Sequence, residues 1–183
     1  MKKERIIWID WMKVIGMYFI IVGHIFPVGH NYIYVFSVPL FFYVSGFLCK
    51  RESENILFWK KLFKSLILPC LLICIIWLIY DTVTQLRLGI FCWENILLRI
   101  KNWLLGMHGY RMKGGGLGMC WFIYTLMICK IIYQYSKSNI LIHGAILASC
   151  MVTAFIYNCS NSHLCNSVLN ASLAYPFFYG GVF

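Results

Sequence analysis

The sequence predicts an all-α protein built as a polytopic bundle of transmembrane helices. Of its 183 residues, 61% are hydrophobic and 12% are charged, whereas soluble domains carry about 45–50% apolar and about 25% charged residues. Five runs approach the roughly 20 apolar residues that a spanning helix needs, and a sixth begins near the end. The basic residues lie mostly in segments between these runs, which is typical of membrane proteins.

The apolar runs are separated by polar breaks, and we expect residues 1–183 to form one transmembrane domain. The predicted spans cover about residues 7–28, 32–49, 66–80, 117–133, 140–157 and 168–183. The connection 81–116 is longer. Between 91 and 105 it places apolar residues at helical spacing with charges between them, which predicts an amphipathic helix lying in the membrane interface. Because the sixth run is still apolar at Phe183, we also expect the chain to be truncated.

The net charge of +10 reflects basic segments that orient the helices. Lys2, Lys3 and Arg5 precede the first run, and the segment 50–64 after the second run is the most basic short loop. We therefore expect a multi-pass protein of the cell membrane, inner or plasma, with a cytoplasmic N-terminus. The connection 81–116 is also basic although it should lie outside, so its orientation stays open. Charges distributed in this way do not indicate a nucleic-acid partner.

The nine cysteines predict neither a metal site nor a disulfide scaffold. Most of them lie within apolar runs, where Cys behaves as a small hydrophobic residue, and no Cys-x-x-Cys pair is present. Cys159 and Cys165 share one polar loop and would pair only if that loop faced an oxidising compartment. We therefore expect no bound metal.

Three ionisable residues in the first run, Asp10, Lys13 and His24, are the strongest functional candidates. A charged group within a spanning helix costs about 2.5–3.5 kcal/mol unless it finds a partner or water. Lys13 lies about 60° and His24 about 40° from Asp10 around a helix, so the three share one stripe with Met17 and Ile21. We expect this stripe to face the bundle interior. Alternatively, Asp10 and Lys13 form an interfacial pair and His24 lies near the outer headgroups.

Three segments together resemble the acyltransferase-3 family of membrane proteins. The first is Arg5-Ile-Ile-Trp-Ile-Asp-Trp-Met-Lys13, followed after ten residues by His24. The second is Val38-Pro-Leu-Phe-Phe-Tyr-Val-Ser-Gly-Phe47, and the third is Lys60-Lys-Leu-Phe-Lys64 ahead of Pro69. The branch that looks most similar is that of the fucose 4-O-acetylase-like and polysaccharide O-acetyltransferases. Family members usually have Arg rather than Lys at the position of Lys13, and about ten spanning helices.

The resemblance implies transfer of an acyl group, usually acetyl, from cytoplasmic acyl-CoA to a hydroxyl of a cell-envelope glycan or its lipid-linked precursor. His24 would act as general base or carry the acyl group, and Asp10 would orient Lys13. The CoA phosphates would bind Lys13, Lys60, Lys61 and Lys64. Acyl-CoA is then a co-substrate, and no resident cofactor is implied.

Two further residues are candidates for the substrate pocket. Ser45, with Gly46, would let the second helix approach the first closely. Trp121, which the resemblance also covers, would form a wall for acyl group or sugar, or else anchor its helix at the membrane interface. The expected partners are the lipid bilayer and a glycan or lipid-linked sugar acceptor.

Two rival interpretations stay open. Intramembrane Lys and His residues also suit a transporter or flippase subunit, although no symmetric pair of broken helices is apparent. The chain is otherwise an inactive truncated remnant, or it pairs with a helical partner that supplies a missing C-terminal half. The other histidines that we considered are expected to be structural or solvated: His108, His143 and His163.

Overall fold

The computed structural model describes residues 6–25, 30–104, 120–136, 140–159 and 166–182. These ranges contain α-helices, one π-helical turn and no strand, which confirms the all-α class. The turn Phe63–Ile67 joins α3 to α4 without a break. The helices are α1 Ile7–Ile25, α2 His30–Phe47, α3 Asn55–Leu62, α4 Leu68–Arg87, α5 Trp93–Leu104, α6 Cys120–Tyr135, α7 Ile140–Cys159 and α8 Asn166–Val182.

One helix of the described ranges is able, by length and composition, to cross a membrane. It comprises α3, the π-turn and α4, and runs for 33 residues from Asn55 to Arg87. The third predicted span, 66–80, is therefore the middle of a much longer helix. Only 17% of its most apolar stretch is buried, unlike a helix in the core of a soluble protein. Tyr32–Phe47 and Leu141–Thr153 are shorter apolar helices.

The far end of this helix corrects the predicted connection 81–116, whose first residues are helical. Thr82 and Thr84 donate their hydroxyl hydrogens to carbonyl oxygens one turn earlier, so these polar residues are satisfied within the helix. The helix ends where Gly89 adopts a φ of +67°. The N–H of Ile90 then donates to the carbonyl of Gln85 at 3.1 Å, which is the bond of a Schellman motif. In the sequence, Gly89 is the residue that could have indicated where this helix ends.

The chain divides into two compact units. The first unit contains Met1–Lys50 and Ala174–Phe183, so it holds α1, α2 and the end of α8. The second unit contains Arg51–Leu173, with α3 to α7 and the start of α8.

In the first unit, α1 and α2 form an antiparallel hairpin. The rings of Trp8 and Phe47 meet edge to face, with their centres 5.2 Å apart. About three turns further along α1, the ring of Phe19 meets that of Phe36 at 6.3 Å. A Cβ on Gly16 would lie 2.9 Å from Cε2 of Phe41. Glycine therefore lets the aromatic residues of α2 pack directly on the α1 backbone.

The end of α8 packs against α2, and the contact depends on glycine from both helices. A Cβ on Gly46 would collide with the carbonyl oxygen of Phe178, and one on Gly181 with that of Tyr43. The side chains of Phe178 and Tyr175 are fully buried here. The expectation that Gly46 brings α2 close to α1 is therefore wrong. Gly46 closes the α2–α8 contact because the carbonyl of Phe178 occupies the space of its missing side chain.

In the second unit, α6 runs antiparallel to the long helix. Trp59 in α3 donates its indole N–H to the hydroxyl of Tyr135, at the end of α6, at 3.1 Å. At the start of α6, Cys120 contacts Cys70 and Cys74 of α4. The long helix and α6 are therefore in contact both at the Trp59 end and at the Cys70 end of their shared length.

The predicted amphipathic helix is present as α5, which lies beside the second half of α4. Arg99 forms an ion pair with Asp81, whose carboxylate also accepts a hydrogen bond of 2.7 Å from Gln85. The guanidinium of Arg99 lies 5.6 Å from the ring centre of Trp77. Polar and aromatic contacts thus hold α5 on α4, while its location in the membrane interface stays a prediction.

Candidate functional site

The ionisable stripe of α1 lies beside the surface that packs on α2, not on it. Among the described side chains of α1, the buried positions are Ile9, Gly16 and Gly23, spaced by seven residues, or two helical turns. Asp10 is half-buried and Lys13 is exposed. Two apolar residues of the same stripe are also exposed: Met17 and Ile21. Within the first unit, the glycine-lined face therefore makes the closer contact with α2, and the orientation of the stripe toward the bundle interior stays a prediction.

His24 occupies the last turn of α1, and its side chain lies outside the described part of the structure. Because α1 is continuous, His24 is about 16 Å along the helix axis from Lys13. Asp10 and Lys13 therefore share one end of α1, and His24 belongs to the other. Ser45 is half-buried on α2, next to the glycine that contacts α8. These four candidates belong to the first unit.

The three lysines of the basic segment belong to the second unit, at the beginning of the long helix. Lys60 and Lys61 lie in the last turn of α3, Lys64 lies in the π-turn, and all three are exposed. Lys61 donates to a carboxylate oxygen of Glu52 at 2.6 Å. The structure thus brings the predicted lysines together, with one of them already paired to an acidic residue.

The π-turn at Lys64 has a local cause in Pro69. Proline has no N–H and its ring crowds the carbonyl four residues earlier, here that of Ser65. The turn widens instead, and the N–H of Leu68 donates to the carbonyl of Phe63, five residues back. Such turns are frequent at functional sites, and this one contains Lys64.

Arg51 anchors the connection ahead of these lysines, a role that sequence analysis missed. Its Nη2 donates to the backbone carbonyl of Ser136 at 2.6 Å and lies 3.2 Å from Nε2 of His143. The guanidinium lies 4.6 Å from the ring centre of Tyr133. His143 is only 2% exposed, which fits its expected structural role. Nothing in the sequence distinguishes Arg51 from the solvated cations around it.

Glu52 continues this anchor with a paired amide contact. Its backbone N–H donates to Oε1 of Gln134 at 3.1 Å, and Nε2 of Gln134 donates to its carbonyl at 2.9 Å. The backbone of residues 51 and 52 is therefore fixed to the end of α6, and the Glu52 carboxylate is held where Lys61 reaches it. The result is a preorganised cationic surface at Lys60, Lys61 and Lys64, which suits an anionic phosphate ligand.

Trp121 is not part of this surface. It lies in the first turn of α6, half-buried, with its ring edge to face with Phe122 at 6.0 Å. Its neighbour Cys120 meets α4 near Cys74, so Trp121 is roughly 20 Å along the long helix from Lys61. The structure therefore separates the predicted pocket wall from the predicted phosphate site.

Comparisons with known proteins identify the family. The family model described as an acyltransferase domain matches residues 6–183, almost the entire sequence. No curated protein and no solved structure matches the chain. The matched region includes both α1 with its Asp10, Lys13 and His24 positions and the basic segment of the long helix. The chain therefore belongs to the acyltransferase-3 family, a family of membrane acyltransferases.

Proposed function

We propose that this chain transfers an acetyl or other acyl group from cytoplasmic acyl-CoA to a hydroxyl of a cell-envelope glycan or its lipid-linked precursor. Family membership supports acyl transfer in general, and the proposal adds the donor and the acceptor. It includes a multi-pass arrangement in the cell membrane with a cytoplasmic N-terminus, supported by the basic segments of the sequence.

The observation that carries the choice of donor is the exposed lysine surface at the start of the long helix. Lys60, Lys61 and Lys64 are grouped there on a backbone fixed through Arg51 and Glu52. CoA carries several phosphate charges, which ammonium groups bind as point charges. In the proposed orientation this end of the helix faces the cytoplasm, where acyl-CoA is available.

The chemical step is assigned to the stripe of α1. In the proposal, His24 takes the proton of the acceptor hydroxyl, whose oxygen attacks the thioester carbonyl. The C–S bond breaks, and CoA leaves as a thiolate that receives a proton. Asp10 orients Lys13, and Lys13 adds a cation for the CoA phosphates. Ser45 and Trp121 remain proposed walls of the substrate pocket.

Labelled acetyl-CoA tests the proposal directly. Membranes carrying the wild-type chain, His24→Ala or the control His163→Ala are supplied with acetyl-CoA labelled in the acetyl group, and label is followed into envelope glycan. Alkaline extraction checks that each variant is inserted. We expect label with wild type and His163→Ala, and loss of label with His24→Ala.

The outcomes separate the parts of the proposal. Label that persists in His24→Ala contradicts the assigned base. Absence of label in wild-type membranes that hold the inserted chain and an acceptor glycan contradicts acetyl transfer by this chain alone. A second membrane chain that restores label would instead support the interpretation in which this chain acts together with a helical partner.

A further inference from the structure

Three cysteines from two helices meet in the second unit. Cys70 and Cys74 are four residues apart and therefore lie on one face of α4, and Cys120 begins α6 opposite them. Sγ of Cys120 lies 3.6 Å from that of Cys70 and 3.3 Å from that of Cys74. All three sulfur atoms lie within 4.8 Å of one another. Each residue is at most 6% exposed.

This triangle has nearly the dimensions of a thiolate metal site. A metal–sulfur bond is about 2.3 Å long, so three sulfur atoms around one ion are separated by about 4 Å. Small rotations of the three side chains reach that geometry. A disulfide would use only two of the sulfur atoms and leave the third thiol in contact with it. The triangle therefore fits an ion at its centre better than a covalent pair.

The surroundings decide which ion fits. Trp103, Ile123 and Tyr124 pack around the cluster, and within the described ranges no His or carboxylate joins the three thiols. Thiolates are soft ligands that suit both Cu(I) and Zn²⁺, but Zn²⁺ in structural sites takes four protein ligands, so a set of three thiols favours Cu(I). A monovalent ion also needs fewer deprotonated thiols in an apolar site, where uncompensated charge is costly.

An adjoining cleft offers a route to the cluster. It lies between α4 and α5, and its lining includes Cys74, Trp77, Arg99 and Trp103. The cleft thus meets the requirement that a buried metal site have an entry path.

We propose that Cys70, Cys74 and Cys120 bind one Cu(I) ion and thereby join α4 to α6. Each thiol that ligates as thiolate releases one proton to solvent, and the copper enters as Cu(I), so no electron is transferred. Cys70 and Cys74 form a Cys-x-x-x-Cys pair, which places two thiols on one helical face, but only tertiary packing adds the third. The site does not depend on the proposed acyl transfer.

A competition titration tests the site on the full chain in detergent. The reduced protein, without oxygen, is titrated with Cu(I) held by a coloured chelator, and transfer of copper is followed by absorbance. We expect one Cu(I) per chain for wild type and for the control Cys92→Ser, and loss of this stoichiometric site in Cys74→Ser and in Cys120→Ser. X-ray absorption should show sulfur ligands at about 2.3 Å.

Thermal unfolding separates loss of the site from loss of the fold, because a folded variant still shows a cooperative transition. Cu(I) should raise the melting temperature of wild type and Cys92→Ser, because it binds the folded state, and should leave Cys70→Ser, Cys74→Ser and Cys120→Ser unchanged. Equal copper binding by a variant lacking all three thiols would overturn the proposal. So would preferential binding of Zn²⁺, or a disulfide between any two of these residues in the protein isolated without reductant.

Discussion

The carbonyl oxygen of Phe178 lies so close to Cα of Gly46 that no side chain fits between them. The contact is reciprocal, because Gly181 of α8 meets the carbonyl of Tyr43 of α2 in the same way. Each glycine therefore receives a backbone carbonyl of the other helix. Backbone contact of this kind is how helices associate within a membrane, where the hydrophobic effect does not drive them together.

Substituting Ala for Gly46 or Gly181 should destabilise the first unit. Alanine is usually better than glycine in a helix by about 1 kcal/mol, but here its Cβ collides with backbone that cannot rotate away. We expect a net loss of about 1–3 kcal/mol, measured as a lower melting temperature in detergent. Gly180→Ala is the matched control, since a Cβ there meets nothing within 4 Å, and it should be neutral or stabilising. Equal melting temperatures for Gly180→Ala and Gly181→Ala would contradict the proposed packing.

Removing the guanidinium of Arg51 should loosen the connection ahead of the long helix. Arg51→Ala leaves the carbonyl of Ser136 and the ring of His143 without this donor, at a cost of about 2–3 kcal/mol. Arg51→Lys keeps the charge but not the planar group, so it should lie between wild type and Arg51→Ala. Melting temperature and the rate of proteolysis within residues 48–55 measure the effect. Lys50→Ala, an exposed neighbour, should change neither; an equal effect of Lys50→Ala would assign the loss to charge alone.

The ion pair between Asp81 and Arg99 should show strong coupling. The two side chains are 16% and 20% exposed, so removing one partner leaves a poorly solvated charge. We expect Asp81→Asn or Arg99→Gln alone to cost about 2–4 kcal/mol of unfolding free energy. The double variant should lose clearly less than the sum of the single variants, as a double-mutant cycle in detergent would show. If the losses of the two single variants simply add in the double variant, the ion pair between Asp81 and Arg99 does not stabilise the contact between α4 and α5.

The three lysines should differ in their effect on acyl-CoA binding, if the proposed function holds. Lys64→Ala should raise KM for acetyl-CoA about tenfold, which corresponds to about 1.4 kcal/mol, and leave kcat nearly unchanged. Lys61→Ala should have a smaller effect because Lys61 is paired with Glu52. Glu52→Gln should lower KM by releasing Lys61. Lys101→Ala, an exposed lysine of α5, serves as control; an equal rise of KM there would indicate a general charge effect.

The helical class and the helix positions could be predicted because they depend on local pattern. Each predicted span coincides with a described helix, and the spacing of charges between 91 and 105 correctly indicated α5. The third span was placed too short because its polar flanks were assigned to loops. Those flanks are helical because their threonines bond to their own helix and because Asp81 has partners on α4 and α5.

The candidate site likewise combines features that follow from local sequence with features that depend on tertiary contacts. The grouping of Lys60, Lys61 and Lys64 follows from their closeness in the chain, so sequence alone could indicate it. Arg51 and Glu52, which hold that segment, could not be distinguished, because their partners Ser136, His143 and Gln134 are more than 80 residues away.

The apolar helices, the basic segments between them and membership of an acyltransferase family could be predicted, since each is encoded in short-range pattern. The packed face of α1, the helix that Gly46 contacts and the thiols that meet are fixed only when the helices pack against one another. These depend on which surfaces approach most closely. A glycine-lined face allows close approach to the helix backbone, whereas a face with ionisable side chains does not. Gly16 and Gly23 of α1 therefore lie against α2.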